Sequence, residues 1–139
     1  MRTFILAALC CITFSVAQPA SAGRKTDLRV AYTLRKMHLD KATQAAFEPI
    51  LRDYLAEKKA VTKDYDDLKD KYKAAEKAGT LTDAQATMLL EAKLNADSAE
   101  IQLKRKWRSE FARVLSAKQI WYAFDYSGDK MSKIEADKK

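Results

Sequence analysis

The stretch Gly79-Thr80-Leu81-Thr82-Asp83-Ala84-Gln85 constrains this fold more than any other part of the chain. Gly79 can take the left-handed conformation that ends a helix without a Cβ penalty. Thr82 is placed to cap the next helix, and Gln85, three residues on, to return a bond to the backbone N–H of Thr82. Leu81 stands just outside the cap, where it can pack on Ala86 as a small hydrophobic staple. One helix ends and another begins within a few residues, so the flanking segments must run antiparallel.

Both flanking segments carry helical periodicity. Between Lys41 and Ala78, the residues Phe47, Leu51, Tyr54, Lys58, Val61, Tyr65, Leu68, Tyr72 and Ala75 alternate spacings of four and three. This is a heptad seam of the coiled-coil kind, interrupted at Lys58, whose stem can lie along apolar surface while its charge reaches water. Lys59, Lys63, Asp66, Asp67, Asp70 and Lys73 fall off the seam and mark a solvated face, with Asp67 and Lys71 at a supportive spacing. Pro49 has no N–H to give Ala45, which predicts a bend near the third turn and a curved surface. From Asp83 to Val114 the central stripe is Leu89, Ala92, Ala96, Ala99, Leu103, Trp107, Phe111 and Val114, with Leu90, Leu94 and Ile101 alongside. Small residues here face the tyrosines of the other seam, and each arm should extend about 48 Å at the helical rise per residue.

Shorter helices are expected on either side. Thr26 or Asp27 can cap one running to about His38, with Leu28, Tyr32 and Leu34 among its apolar positions. Leu39-Asp40 repeats the pattern of an apolar residue before a cap, although Thr43 in the third helical position leaves its box incomplete. Leu115-Ser116-Ala117-Lys118-Gln119 repeats the first junction in full, with Ile120 placed to receive the staple. A final helix would carry Ile120, Phe124, Met131 and Ile134 on one side, weakened at Gly128, and the polar tail Glu135 to Lys139 should fray. The fold class is therefore all-α: an extended antiparallel helical hairpin with a short N-terminal and a C-terminal helix, bent like a cradle.

The start of the chain has the composition of a secretory signal. Arg2 precedes a run from Phe4 to Ala17 that is apolar apart from Thr13 and Ser15, and Ala20-Ser21-Ala22 forms a small-x-small cleavage site. The expected domain organisation is a signal peptide over 1–22, cut after Ala22, and one helical domain over 23–139. Cys10 and Cys11 leave with the signal, so the mature chain must stand without disulfides in an oxidising compartment. Removal of Arg2 lowers the formal net charge from +7 to +6. A basic exported chain favours anionic partners such as acidic protein segments, lipid headgroups or cell-wall polymers, and its location disfavours nucleic acid.

Catalysis lacks a constellation: there is no mature cysteine, one histidine and no Gly-rich phosphate loop, so neither an enzyme nor a cofactor is expected. His38 beside Met37 is a weak metal candidate with no second histidine at ligand spacing. The densest basic cluster is Lys104-Arg105-Lys106-Trp107-Arg108, with Arg113 nearby. It is either a binding surface for anionic partners or an ordinary solvated face supported by Glu100 and Lys104, and the solvated reading is favoured for the individual residues. Trp121, Tyr122, Phe124 and Tyr126 are too crowded for one stripe, which leaves a client or dimer surface or a cap on the hairpin's open end.

Two motifs match a known pattern. Leu81-Thr82-x-x-Gln85 and Leu115-Ser116-x-x-Gln119 resemble the paired LTxxQ signatures of the Spy/CpxP family of periplasmic proteins. The order of short, long, long and final helix resembles that family over essentially the whole mature chain. Leu39-Asp40 with Phe47, Pro49 and Tyr54 is similar to the second-helix opening of related LTxxQ proteins, while Ser116 replaces the motif's Thr and the Leu39 junction lacks its Gln. The resemblance implies a curved, non-enzymatic helical protein, a homodimer, that holds unfolded or envelope proteins without ATP or acts as an adaptor on a membrane stress sensor. Other branches bind or sense metals. Lys104, Arg105, Lys106, Arg108, Arg113, Trp121 and Tyr122 are the expected client or partner surface.

Overall fold

The computed structural model describes residues 20–137. The signal-peptide reading, with its cysteines, therefore falls largely outside the described residues, as does the very end of the tail. Five helices and no strand are present among the described residues: α1 (Ala20–Met37), α2 (Lys41–Ala78), α3 (Asp83–Phe111), α4 (Ala117–Gly128) and α5 (Met131–Ala136).

The junctions follow the capping chemistry. Gly79 has φ 68°, its N–H donates to the Glu76 carbonyl at 3.2 Å, and the Thr80 N–H reaches the Ala75 carbonyl at 2.9 Å. Those two bonds satisfy carbonyls that the end of α2 would leave orphaned, in the Schellman arrangement. The Gln85 N–H then donates to Thr82 Oγ1 at 3.2 Å while the Thr82 N–H donates to Gln85 Oε1 at 3.0 Å. Ser116 and Gln119 form the same reciprocal box at 3.3 and 2.8 Å. The two staples differ. Leu115 and Ile120 are both buried in the core, whereas Ala86, expected to receive Leu81, stays exposed. At the junction of α1 with α2, Asp40 accepts from the Thr43 N–H at 3.0 Å and from its hydroxyl at 2.6 Å. The turn before it is made by His38, at φ 49° the non-glycine residue with positive φ among the described residues.

Several boundaries depart from the sequence reading. Helix α1 begins at Ala20, so neither Thr26 nor Asp27 caps it. The Asp27 carboxylate instead accepts from Arg52 Nη1 of α2 at 2.6 Å. Helix α3 stops at Phe111 rather than Val114, because the chain tightens there into a turn in which both Val114 and Leu115 N–H groups bond the Phe111 carbonyl. The expected single last helix is divided in two. Asp129 leaves helical conformation at ψ 147°, and its carboxylate accepts from the Tyr32 hydroxyl at 2.6 Å and from Lys133 at 2.9 Å. The tail also does not fray at Glu135: α5 runs to Ala136, and Asp137 pairs with both Arg35 and Lys36 of α1. Asp67 pairs with Lys63 rather than Lys71.

The seam of α2 holds along its length: Phe47, Leu51 and Tyr54 are buried, and Lys58 through Ala75 are half-buried. Pro49 lies within an unbroken α2. The core, however, gathers at one end. Val30 and Leu34 of α1, Phe47, Leu51, Tyr54 and Leu55 of α2, Leu103 and Phe111 of α3, and Ile120 and Ala123 of α4 form one cluster. At its centre Phe111 stacks on Phe124 at 4.9 Å and meets Phe47 and Tyr54 edge-on at 5.0 and 5.5 Å. Beyond Val61 and Ala99 the described residues form a two-helix arm of α2 and α3, and Ala96 is its one buried residue among those described.

Candidate functional site

Two helices in contact bury one stripe each, and a third layer is needed to cover anything alongside. Among the described residues the arm has no third layer. Leu90, Leu94 and Ile101 of α3 consequently remain 58%, 58% and 53% exposed. At about 100° per residue these three positions fall within roughly 40° of one another around the helix, and Lys104 and Arg108 continue the same line toward the base. The result is an exposed strip, apolar along the arm except at Asp97 and cationic where the arm joins the core.

The basic cluster is not uniform. Lys106 donates to both oxygens of Glu57 at 2.7 and 2.9 Å, Trp107 Nε1 donates to Glu57 Oε2 at 2.8 Å, and the Lys106 ammonium lies 5.7 Å from the centre of the Trp107 ring. The Lys106 and Trp107 bonds hold the Glu57 carboxyl below the usual carboxylate range. Lys106 and Trp107 are thus committed to fastening α3 on α2. Lys58, the break in the seam, reaches across to Glu100 at 2.7 Å, and Glu100 also attracts Lys104 at 3.7 Å. Arg113 pairs locally with Glu110 at 2.9 Å in the turn after α3. Among the described residues, Arg105 and Arg108 are exposed and form no ion pair.

Trp121 is 71% exposed on α4 and shares with Lys104, Phe124 and Asp125 an open cleft of about 500 Å³. Tyr122 turns away from that cleft and stacks on Tyr126 at 5.6 Å, both half-buried. Of the seven residues expected to form one surface, the structure brings Lys104 and Trp121 together and leaves Arg105 and Arg108 free on α3. It places Lys106 and Arg113 in internal ion pairs and Tyr122 in an aromatic pair. The apolar part of the strip was visible as a second stripe in the sequence. Its exposure was not, since periodicity gives the face of a helix and not the number of neighbours.

His38 makes the turn before α2, and no group of three or more His, Cys, Asp or Glu side chains is positioned to hold a metal among the described residues. No described helix is long and apolar enough to cross a membrane. No protein-family model matches the chain, and neither a curated protein nor a solved structure matches it significantly.

Proposed function

We propose that this protein is an exported, ATP-independent holdase of the Spy/CpxP type, working in the periplasm after cleavage at Ala22. The observation that carries this reading is the strip of Leu90, Leu94 and Ile101 running into Lys104, Arg105 and Arg108, exposed on a single helix. An unfolded chain presents apolar side chains interspersed with charge, and the strip offers complements to both along one line. The net positive charge steers acidic segments to it, and contacts with three aliphatic side chains hold them weakly enough to release. A client that folds withdraws its apolar residues, so release follows from client folding and requires no nucleotide. The proposal assigns the protein no catalytic step and no cofactor. It includes a homodimer, in which long helices pair, and a bend at Pro49 that makes the working face concave.

Aggregation of an unrelated unfolded protein, followed by light scattering with and without equimolar chaperone, tests this reading. Protection at low salt that weakens as ionic strength rises is expected. Absence of protection at low salt refutes it.

A second reading, an adaptor for one folded domain of a membrane stress sensor, is favoured by Trp121 beside Lys104. A largely exposed tryptophan next to a cation has the composition of a binding anchor. This reading expects saturable binding to one partner, lost in Trp121→Ala, with little effect on general aggregation.

A further inference from the structure

A second open cleft lies between α1, the middle of α2 and the junction of α4 with α5, with a volume of about 480 Å³. Lys25 and Arg29 project into it from α1 and Lys58 and Lys59 from α2, so four cations line one cavity. Only part of that charge is neutralised by the protein. Lys58 is held by Glu100. Arg29 is half-buried, and its Nη1 donates to two backbone carbonyls, those of Ser127 and Asp129, each at 2.6 Å. The nearest carboxylate, that of Asp129, is occupied by the Tyr32 hydroxyl and Lys133. Nη2 and Nε of Arg29 make no hydrogen bond among the described residues, and Lys25 and Lys59 have no ion pair there. Burial pulls the Arg29 pKa below its ordinary value, outweighing the attraction of Asp129.

A half-buried guanidinium with unused donors, sharing a cleft with two exposed and unpaired ammonium groups, offers several hydrogen bonds and positive charge to one anion. We propose that this cleft binds a phosphate-type oxyanion, which receives hydrogen bonds from the free edge of Arg29 and from the ammonium groups of Lys25 and Lys59. A tetrahedral oxyanion supplies several acceptor oxygens at once and so matches a planar guanidinium together with two flexible point charges. Thr62 lies on the α2 wall one turn beyond Lys58 and donates its hydroxyl to Asp66 at 3.0 Å. Asp66 and Asp70 close the far end of the cleft. They lie seven and eleven residues beyond Lys59, about 10 and 16 Å along the helix, at or beyond the screening length of physiological salt. The site uses neither Leu90, Leu94 and Ile101 nor the Lys104 to Arg108 segment and is independent of the holdase reading.

Two sources of this chemistry exist, free phosphate and the phosphate of a lipid headgroup. The test titrates the purified protein calorimetrically with sodium phosphate at constant ionic strength and, in parallel, measures co-flotation with phosphatidylglycerol vesicles. The variant K25Q/K59Q removes two exposed, unpaired cations without touching the bonds of Arg29, and K104Q/R105Q serves as a control of equal charge. Saturable phosphate binding weakened about fivefold for each cation removed, and unchanged in the control, supports the site with free phosphate as source. Vesicle binding lost in K25Q/K59Q alone, with no phosphate heat, supports it with lipid as source. No binding in either arm, binding that survives K25Q/K59Q, or equal weakening by both variants overturns the proposal.

Discussion

Replacement of Leu90, Leu94 and Ile101 by glutamine separates the working surface of this protein from its stability. Burying a leucine or isoleucine side chain completely contributes about 1.5–3 kcal/mol. More than half of each of these residues is still open to water, so a client covering all three gains about 3–5 kcal/mol before ordering costs. Loss of that gain corresponds to roughly two to three and a half orders of magnitude in client affinity. Glutamine has nearly the helix propensity of leucine, and none of the three side chains belongs to the core, so the folded state should lose less than about 1 kcal/mol. The triple variant is therefore expected to keep its parent's urea midpoint by circular dichroism and to lose aggregation suppression at equimolar ratio. A variant that protects clients as well as the parent refutes the assignment of the strip. A variant that unfolds at markedly lower urea shows instead that α3 is covered on this face.

Phe111→Ala should lower stability by about 3–5 kcal/mol, and Leu68→Ala on the half-buried arm by clearly less, as read from urea unfolding. Equal losses would place the stabilising centre along the arm rather than at its base. Thr82→Ala and Ser116→Ala each remove the oxygen that accepts an N–H at the start of a helix, at a cost of about 1 kcal/mol. The Ser116 change should also loosen Leu115 and Ile120 in the core, so it should lower the melting temperature more than the Thr82 change. Glu57, Asp129, Asp137 and Asp40 have pKa values lowered mainly by hydrogen bonds, from Lys106, Lys133, Lys36 and Thr43 respectively. A carboxyl whose folded pKa is depressed contributes stability above its unfolded pKa of about 4, and that contribution is lost as pH falls through the folded value. Stability should thus be level from neutral pH to about 5 and decline below 4, and Asp129→Asn should shrink the decline. A melting temperature that rises on acidification would contradict the sign.

The hairpin was legible because its information is local. A glycine, a cap and a box partner within seven residues set the reversal, and the spacing of Phe47 to Ala75 set the buried face of α2 without reference to anything distant. What escaped depends on residues far apart in the chain. Asp27 looks like a cap until Arg52, twenty-five residues on, takes its carboxylate. Gly128 marked a weak point in the last helix, but the break itself is made by Asp129, drawn out by Tyr32 and Arg29 from the other end of the domain. The sequence leaves the basic cluster open between a binding surface and a solvated face because charge is visible there and pairing is not. Glu57, which engages Lys106 and Trp107 across the helix interface, divides it.

The placement of the core at one end has a physical consequence for the proposed activity. A holdase must expose apolar surface permanently, yet exposed apolar surface tends to be covered by a protein's own chain or by aggregation. Here the base confines large aromatic side chains around Phe111 and supplies cooperative stability, while the arm offers aliphatic residues on a helix whose polar groups are already satisfied. Lys93 and Asp97 bracket Leu94 with an ion pair at 2.5 Å, and Asp97 falls on the strip itself. A charge within the stripe interrupts the continuous apolar run that favours non-specific aggregation through this face, while leaving isolated aliphatic contacts for a flexible client. The same division explains why the two junctions differ: at Leu115 the staple is buried because the start of α4 closes the core, and at Leu81 its expected partner Ala86 stays exposed because the start of α3 lies on the arm, away from Leu103 and Phe111.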